Sequence, residues 1–291
     1  MSTASAPAPA AIPLIASIAP YADATTAWLV DIWGVMHNGE RPFDASCDAC
    51  ERFREKGGVV LLLSNSPRPR DSVAEQLAGI GVPLSSFDAI VTSGDVSRAL
   101  IATHIGRPIV HIGPERDLPI FAGIDVERVG PDRGEAIVCT GLFDDERETP
   151  DDYKELLGAC LERGLPMICA NPDVAVERGG RIIYCAGAVA NAYADLGGAV
   201  AYAGKPFAPI YDLALATLET LKPGSSRIER LLAIGDGVNT DIAGAAAAGI
   251  RSIFVASGVH VTGGGLDAAA LEALFPQGAP RPVAAMQQLA W

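Results

Sequence analysis

The sequence lacks the features that mark membrane, secreted and nucleic-acid-binding proteins. No apolar run approaches the ~20 residues that a transmembrane helix needs. The first twenty residues contain no Lys or Arg, so they lack the charged start of a signal peptide. Lys and Arg number 22 against 35 Asp and Glu, and the net charge of −13 disfavours binding to a polyanion. We therefore expect no membrane and no nucleic-acid partner.

The six cysteines lack the spacing of a disulfide framework. Cys47 and Cys50 form a Cys-x-x-Cys, but no second pair or nearby His completes a zinc site. This pair falls in an amphipathic helical pattern. We interpret the cysteines as small buried hydrophobes of a cytoplasmic protein.

Short apolar runs alternate with helical patterns, which is typical of an α/β protein with a Rossmann-like parallel sheet and helices on both faces. A first series of strands is predicted at 29–31, 59–63 and 89–91, and it resumes at 199–203, 231–234 and 252–255. A second series lies between, at 108–112, 136–139, 167–170 and 181–185, with a helix over 150–163 capped by Thr149. We therefore predict a loose tail over 1–20, a core formed by 21–95 and 187–291, and an inserted α/β domain over 96–186. A loop at Gly263–Gly265 and a short helix over 267–274 are predicted near the end.

Polar residues stand where the strands of the first series end. They are Asp31, then Ser64 and Asn65, then Lys205, and finally Asp236 with Asp241. Each cluster alone has a simpler explanation, as a strand-end acid, a turn, a surface lysine or a helix N-terminus. Ligands bind outside the carboxyl ends of strands in an open parallel sheet, so four such clusters in this order favour one shared site.

Together these motifs resemble the haloacid dehalogenase-like hydrolase superfamily, in the subclass that includes p-nitrophenyl phosphatase-like and phosphoglycolate phosphatase-like enzymes. The resemblance covers nearly the whole chain beyond residue 20. The motifs that carry it are Asp31-x-x-Gly34-Val35, Ser64-Asn65-Ser66-x-Arg68, Asn171-Pro172-Asp173, Gly204-Lys205-Pro206 and Gly235-Asp236-x-x-x-Thr240-Asp241. In this subclass the inserted domain is a cap over the core.

The resemblance implies a phosphatase whose nucleophile is Asp31, which forms an aspartyl phosphate. It implies Mg²⁺ held by Asp31, Asp236 and the main-chain oxygen of Trp33. Asp241 is then an outer residue that orients Lys205 or the water around the metal. The phosphate-binding residues implied are Ser64, Asn65 and Lys205, and the cap residues implied to face the substrate are Asn171 and Asp173. The implied partner is a small phosphorylated metabolite, and contacts between caps imply a homodimer.

Trp33 departs from the family pattern, because most phosphatases of this superfamily carry a second Asp at this position. That Asp protonates the leaving oxygen and then activates water, which an indole cannot do. We therefore predict weak turnover of alkyl phosphates and better turnover of aryl or acyl phosphates. The alternatives for this role are His37, Asp173 and water, and of these His37 is interpreted instead as a loop or surface histidine.

Two other functions stay open at the level of sequence. The first is a metal-independent dehalogenase, which also needs a nucleophilic Asp, although the pair Asp236 and Asp241 argues for a metal. The second is a phosphate-ligand binding or sensor protein with little turnover. The substrate is predicted to contact the stretch 171–174 and the stretch 141–147.

Overall fold

The protein is built from two parallel sheets and one hairpin, in a computed structural model that describes residues 11–178, 181–256 and 266–291. The strands of the described residues are β1 (Ala27–Asp31), β2 (Val59–Ser64), β3 (Ala89–Thr92), β4 (Ile109–Ile112), β5 (Ala136–Cys139), β6 (Met167–Cys169), β7 (Ala175–Arg178), β8 (Arg181–Tyr184), β9 (Val200–Tyr202), β10 (Leu231–Gly235), β11 (Arg251–Val255) and β12 (Ala284–Met286). Their helices are α1 (Ala19–Ala22), α2 (Asp44–Glu55), α3 (Arg70–Ile80), α4 (Ser93–Ala102), α5 (Lys154–Glu162), α6 (Ala186–Asp195), α7 (Ala208–Leu221), α8 (Ala243–Ala247) and α9 (Ala268–Leu274). The predicted α/β class is confirmed. None of these helices is long and apolar enough to cross a membrane.

The larger sheet has the strand order β12-β11-β10-β1-β2-β3, with every neighbouring pair parallel. All five residues of β1 are buried, because helices cover both faces of the sheet. Trp28 packs among residues of α2 and stacks on Phe53 at a centroid distance of 3.9 Å, whereas Leu29 packs among residues of α7. The chain order reverses between β1 and β10. In open α/β sheets this reversal forms the crevice in which ligands bind.

The smaller sheet has the order β4-β5-β6-β9 and packs α5 and α6 against one face. Our prediction that 199–203 returns to the first series is wrong, because Val200 of β9 pairs with Met167 of β6. The apolar pattern predicts a strand here but cannot specify its partner. The predicted boundary at residue 187 also falls inside α6. We propose instead that the inserted unit extends to about Ala203.

Residues 11–20 do not form the loose tail that we predicted. The backbone N–H of Ile15 donates to Ala285 O at 2.9 Å, and that of Ala285 donates to Pro13 O at 2.9 Å. Ile12 and Ile18 are buried in hydrophobic clusters. The Ala- and Pro-rich composition concealed these isolated apolar anchors.

Helix ends differ from the predictions in three places. The segment 150–163 is a 3₁₀ turn, Pro150–Tyr153, followed by α5, and Thr149 forms a capping box with Asp152. The sequence pattern over 240–248 also predicts a helix, but the structure has a wide turn, Val238–Ile242, followed by the short α8. In α9 the side chain of Asp267 caps the helix by accepting from Ala270 N. The loop predicted at Gly263–Gly265 lies outside the described residues.

Candidate active site

Three buried carboxylates meet beyond the carboxyl ends of β1 and β10. Asp31 is the last residue of β1, Asp236 directly follows β10, and Asp241 lies in the wide turn Val238–Ile242. One oxygen atom of each lies within 4.8 Å of those of the other two. Each residue is 8% exposed or less. Such crowding is costly, because like charges repel more strongly when water is excluded.

The pKa values of two of these acids reflect that cost. Burial and the charge of Asp241 raise the pKa of Asp31 despite the opposing effect of Lys205. Burial and the charges of Asp31 and Asp241 raise the pKa of Asp236. The metal-free site therefore disfavours full ionisation, and a bound cation would reverse this preference.

Lys205 supplies the ammonium group of this cluster. Its Nζ donates to Asp31 Oδ1 at 2.6 Å, to Asp241 Oδ1 at 2.7 Å and to the main-chain oxygen of Leu63 at 3.1 Å. Burial acts to lower the pKa of Lys205, but the neighbouring carboxylates outweigh burial and raise it. The lysine thus stays protonated and holds Asp31 in one orientation.

Glycines allow the chain to fold tightly around Asp236. A Cβ atom at Gly235 would lie 2.2 Å from Asp241 Cγ, and one at Gly237 would lie 1.9 Å from Thr240 Oγ1. The N–H of Gly237 also donates to Asp241 Oδ2 at 3.1 Å. Only residues without side chains let this turn carry Asp241 back over the strand end.

Ser64 is the last residue of β2 and Asn65 follows it, and both line the same cavity but make different contacts. Ser64 Oγ accepts from Ser66 N at 3.1 Å. The amide of Asn65 accepts from Lys205 N at 2.7 Å and donates to Lys205 O at 3.1 Å and to Asp173 Oδ1 at 2.8 Å. In this structure Asn65 thus fixes the backbone of the lysine, a contact that the sequence did not predict.

Asn171 and Asp173 line the cavity from the loop that follows β6. Asn171 Oδ1 accepts from Asp173 N at 3.0 Å, which shapes the loop as an Asx turn. Burial raises the pKa of Asp173, while its hydrogen bond from Asn65 opposes this shift. The smaller sheet therefore places a carboxyl group next to the loop after β2.

Trp33 and His37 form an aromatic pair beside Asp31. The rings meet edge to face at a centroid distance of 5.4 Å. Gly39 has φ +93°, and a Cβ atom there would lie 2.6 Å from Trp33 Cη2, so glycine makes room for the indole. His37 lies in the loop between β1 and α2, which agrees with its interpretation as a loop histidine, but it is not a surface residue, since it is 3% exposed.

The hydrogen bonds of His37 define its protonation state. Its Nδ1 accepts from Gly39 N at 2.8 Å, and burial lowers its pKa to about 4. At neutral pH the imidazole is therefore uncharged, with its proton on Nε2. A neutral imidazole N–H is too weak an acid to replace the carboxyl group that Trp33 lacks.

A cavity of about 520 Å³ joins the carboxylate cluster to the smaller sheet. Three residues of the predicted stretch 141–147 line this cavity, namely Gly141, Leu142 and Asp145. Residues that we did not predict also line it, among them the polar residues Arg116, Asp117 and Thr140 and the apolar residues Val176 and Ile182. Thr140 follows β5 and Asp117 lies just after β4. Applying the strand-end rule to the second series would have found them.

Comparison with known proteins agrees with this geometry. The sequence profile described as haloacid dehalogenase-like hydrolase matches residues 28–127, and one described as HAD-hydrolase-like matches residues 202–284. The chain is 24% identical over 238 residues to the 5′-nucleotidase YutF of Bacillus subtilis, covering 80% of this chain and 87% of that protein. It is 29% identical over 241 residues to the D-glycerol 3-phosphate phosphatase of Mycobacterium tuberculosis, covering 80% of this chain and 63% of the length of that enzyme.

A solved structure gives the strongest of these likenesses. It is a hydrolase of the haloacid dehalogenase-like family from Brucella suis, with 46% sequence identity and a TM-score of 0.85. The match covers 95% of this chain and 100% of that one. With the strand order and the convergent acids, these matches show that the chain belongs to the haloacid dehalogenase-like hydrolase family.

Proposed function

We propose that this protein is a Mg²⁺-dependent phosphohydrolase that acts on a small phosphate ester through nucleophilic attack by Asp31. The observation that carries the proposal is the buried Asp31 carboxylate, held 2.6 Å from Lys205 at the point where the sheet order reverses. The relatives named as a nucleotidase and a glycerol phosphate phosphatase support the same reaction class.

The residues present fit a divalent cation. Three carboxylates face one ammonium group, so the ionised cluster carries excess negative charge. Carboxylate oxygens are the ligands that Mg²⁺ prefers. We propose Asp31, Asp236 and the main-chain oxygen of Trp33 as ligands, with Asp241 orienting Lys205. When bound, the ion would neutralise charge on the phosphate oxygens.

The protein side chains then have separate tasks. Asp31 attacks phosphorus and forms an acyl phosphate as the P–O bond to the leaving group breaks, and water then hydrolyses the acyl phosphate to release inorganic phosphate and free Asp31. Lys205 neutralises charge between the carboxylate and the phosphate. Ser64 Oγ and neighbouring backbone N–H groups are proposed to bind phosphate oxygens, with Asn65 keeping Lys205 in place. Asn171 and Asp173 are proposed to face the rest of the substrate.

The leaving oxygen receives no proton from Trp33 or His37. The indole N–H does not titrate in the useful range, and the imidazole is neutral. We therefore propose that leaving groups which depart as stable anions, such as aryl or acyl oxygens, react faster than alkyl oxygens.

Three assays separate this proposal from the other two functions. A phosphohydrolase is expected to hydrolyse p-nitrophenyl phosphate, to lose this activity when a chelator is added and to regain it when Mg²⁺ is restored. Release of halide from a 2-haloacid without metal would instead support a dehalogenase. If neither reaction occurs but a phosphate ester raises the melting temperature, the protein is a binding protein.

Mg²⁺ is expected to stabilise the protein more at alkaline than at acidic pH. Asp31 and Asp236 have raised folded-state pKa values, so the metal-free folded chain keeps protons that the unfolded chain releases. Their contribution to the free energy of unfolding therefore falls as pH rises above the unfolded value near 4. A bound cation needs the ionised acids, so its stabilisation grows over the same range. Thermal unfolding with and without Mg²⁺, at about pH 6 and about pH 8.5, measures this.

Asp236→Asn is the matched control for this prediction. It removes one proposed ligand without changing the size of the side chain. The Mg²⁺-induced shift in melting temperature should then shrink at both pH values. An equal shift at both pH values in the natural chain would contradict the assignment of the metal to these acids.

Trp33→Asp is expected to raise the rate on alkyl phosphates by about tenfold or more, within the ~10²- to 10⁴-fold range of general acid–base catalysis. The rate on p-nitrophenyl phosphate should change less, because that leaving group needs no proton. The measurement is kcat for glycerol 3-phosphate relative to kcat for p-nitrophenyl phosphate.

Trp33→Asn controls for the loss of the indole. Asparagine opens the same space above Gly39 but cannot donate a carboxyl proton. If both variants gain equally, the effect comes from access to the site rather than from acid catalysis. If neither gains, the pocket around residue 33 is adapted to another chemistry.

A further inference from the structure

Part of the lining of this cavity consists of polar residues that follow strands of the smaller sheet. Asp117 lies in the 3₁₀ segment Glu115–Phe121 that follows β4, and Thr140 directly follows β5. Both line the same cavity as Asp31, together with Arg116. Asp117 is 4% exposed and Thr140 is 2% exposed. Polar groups buried this deeply need partners, and a substrate bound in the same cavity can supply them.

A chain of hydrogen bonds orients this pocket. Thr140 Oγ1 lies 3.0 Å from His111 Nε2. Burial raises the pKa of Asp117, and the charge of Arg116 and the side chain of Thr140 oppose this rise. A hydroxyl has one proton, so when it donates to Asp117 its oxygen accepts from the N–H of His111. Burial lowers the pKa of His111 to about 4, so the ring is neutral and carries this one proton. In the tautomer with its proton on Nε2, His111 donates to Thr140, whose own hydroxyl proton is then available to Asp117 or to a ligand.

The arginines of this pocket are already engaged with protein groups. Arg116 pairs with Asp145 at 2.6 Å, and Arg68 hydrogen-bonds to Gln76. The charges of Asp117 and Asp145 balance those of Arg116 and Arg68, so this part of the lining has no excess positive charge for a second anionic group on a substrate. A buried carboxylate beside a guanidinium instead offers an acceptor next to donors. A hydroxyl group matches this arrangement, because it both donates and accepts hydrogen bonds.

We propose that Asp117, Thr140 and Arg116 form a leaving-group subsite that selects phosphate esters bearing several hydroxyl groups and rejects those bearing a carboxylate. This inference rests on the proposed phosphohydrolase function. It assigns the cavity beyond the phosphate position to a polyhydroxylated leaving group. The cavity of about 520 Å³ is much larger than a phosphate group alone requires and has room for a sugar-sized one.

Competition with p-nitrophenyl phosphate tests the inference, since binding can be measured even where alkyl esters turn over slowly. The inhibitors are glucose 6-phosphate, 2-phosphoglycolate and inorganic phosphate. The natural chain is expected to bind glucose 6-phosphate at least about tenfold more tightly than 2-phosphoglycolate. In Asp117→Ala the inhibition constant for glucose 6-phosphate should rise about tenfold more than that for inorganic phosphate. Asp117→Asn should lose part of the same preference.

Glu115→Gln is the matched control, because it removes one charge from the same segment at an exposed position outside the cavity. Its inhibition constants should match those of the natural chain. The inference is overturned if 2-phosphoglycolate binds as tightly as glucose 6-phosphate, or if Asp117→Asn and Asp117→Ala leave the ratio unchanged. If p-nitrophenyl phosphate is not hydrolysed at all, the proposed function fails. Calorimetric titration with glucose 6-phosphate in Mg²⁺ then tests the subsite separately.

Discussion

Asp31→Asn is expected to lower kcat for p-nitrophenyl phosphate by on the order of 10⁴-fold or more, as loss of a covalent nucleophile does in other enzymes. An amide has nearly the size of the carboxylate but cannot attack phosphorus. Lys205 would still be held by Asp241 at 2.7 Å, so the site should keep its shape. Steady-state hydrolysis with saturating Mg²⁺ measures the loss.

The melting temperature of Asp31→Asn shows whether its activity is lost because the nucleophile is missing or because the protein is unfolded. Burial and repulsion disfavour the ionised form of Asp31, so the metal-free variant should melt no lower than the natural chain at about pH 8. Asp212→Asn makes the same change at an exposed position of α7 and should leave activity unaltered. Activity of Asp31→Asn above a few per cent of the natural rate would mean that another group attacks phosphorus.

Lys205→Met is expected to reduce both activity and folding stability. Methionine replaces the long chain but removes the ammonium that contacts Asp31 and Asp241. Leaving buried charges without their partner typically costs ~3–5 kcal/mol in free energy of unfolding. Urea unfolding without metal should therefore show a large deficit near neutral pH. The deficit should shrink in acid, as the carboxylates take up protons.

A double variant shows whether the loss of folding stability in Lys205→Met comes from the buried carboxylates that have lost their ammonium partner. Lys205→Met combined with Asp241→Asn should recover part of the stability but none of the activity, because a neutral amide no longer needs the ammonium. Lys154→Met is the control, since it breaks a Lys–Asp pair whose side chains are 72% and 81% exposed. Exposed pairs contribute ~0–1 kcal/mol. A Lys205→Met deficit no larger than this would contradict the coupling described here.

The sequence predicted correctly those site residues whose positions are determined by the ends of strands. Asp31, Asp236 and Asp241 each close or follow a strand of the larger sheet, and parallel strands bring their carboxyl ends to one edge. Lys205 instead follows β9 of the smaller sheet, so its motif predicted its place in the site and the strand-end rule did not. The same logic fails for β9. Its three residues form an apolar run like any other, and the choice of Met167 as a partner is made by tertiary packing that no local pattern contains.

Some contacts at the site escaped prediction for a similar reason. The pairing of Asn65 with both Asp173 and the backbone of Lys205 joins residues more than a hundred positions apart. His37 is buried against the indole of Trp33, for which Gly39 makes room. This arrangement depends on the positive φ angle of Gly39, which the sequence only suggests. The sequence motifs therefore identified the functional side chains, but the residues that contact them could be identified only from the fold.

The N-terminal segment has a consequence for how the protein behaves at high concentration. Strand β12 is the outer strand of the larger sheet, and such strands offer unpaired N–H and C=O groups to other molecules. Residues 13–15 occupy those groups through Ala285. This short stretch thereby covers the β12 edge of the sheet. A truncation that removes it would expose unpaired backbone groups of β12 and would favour edge-to-edge aggregation.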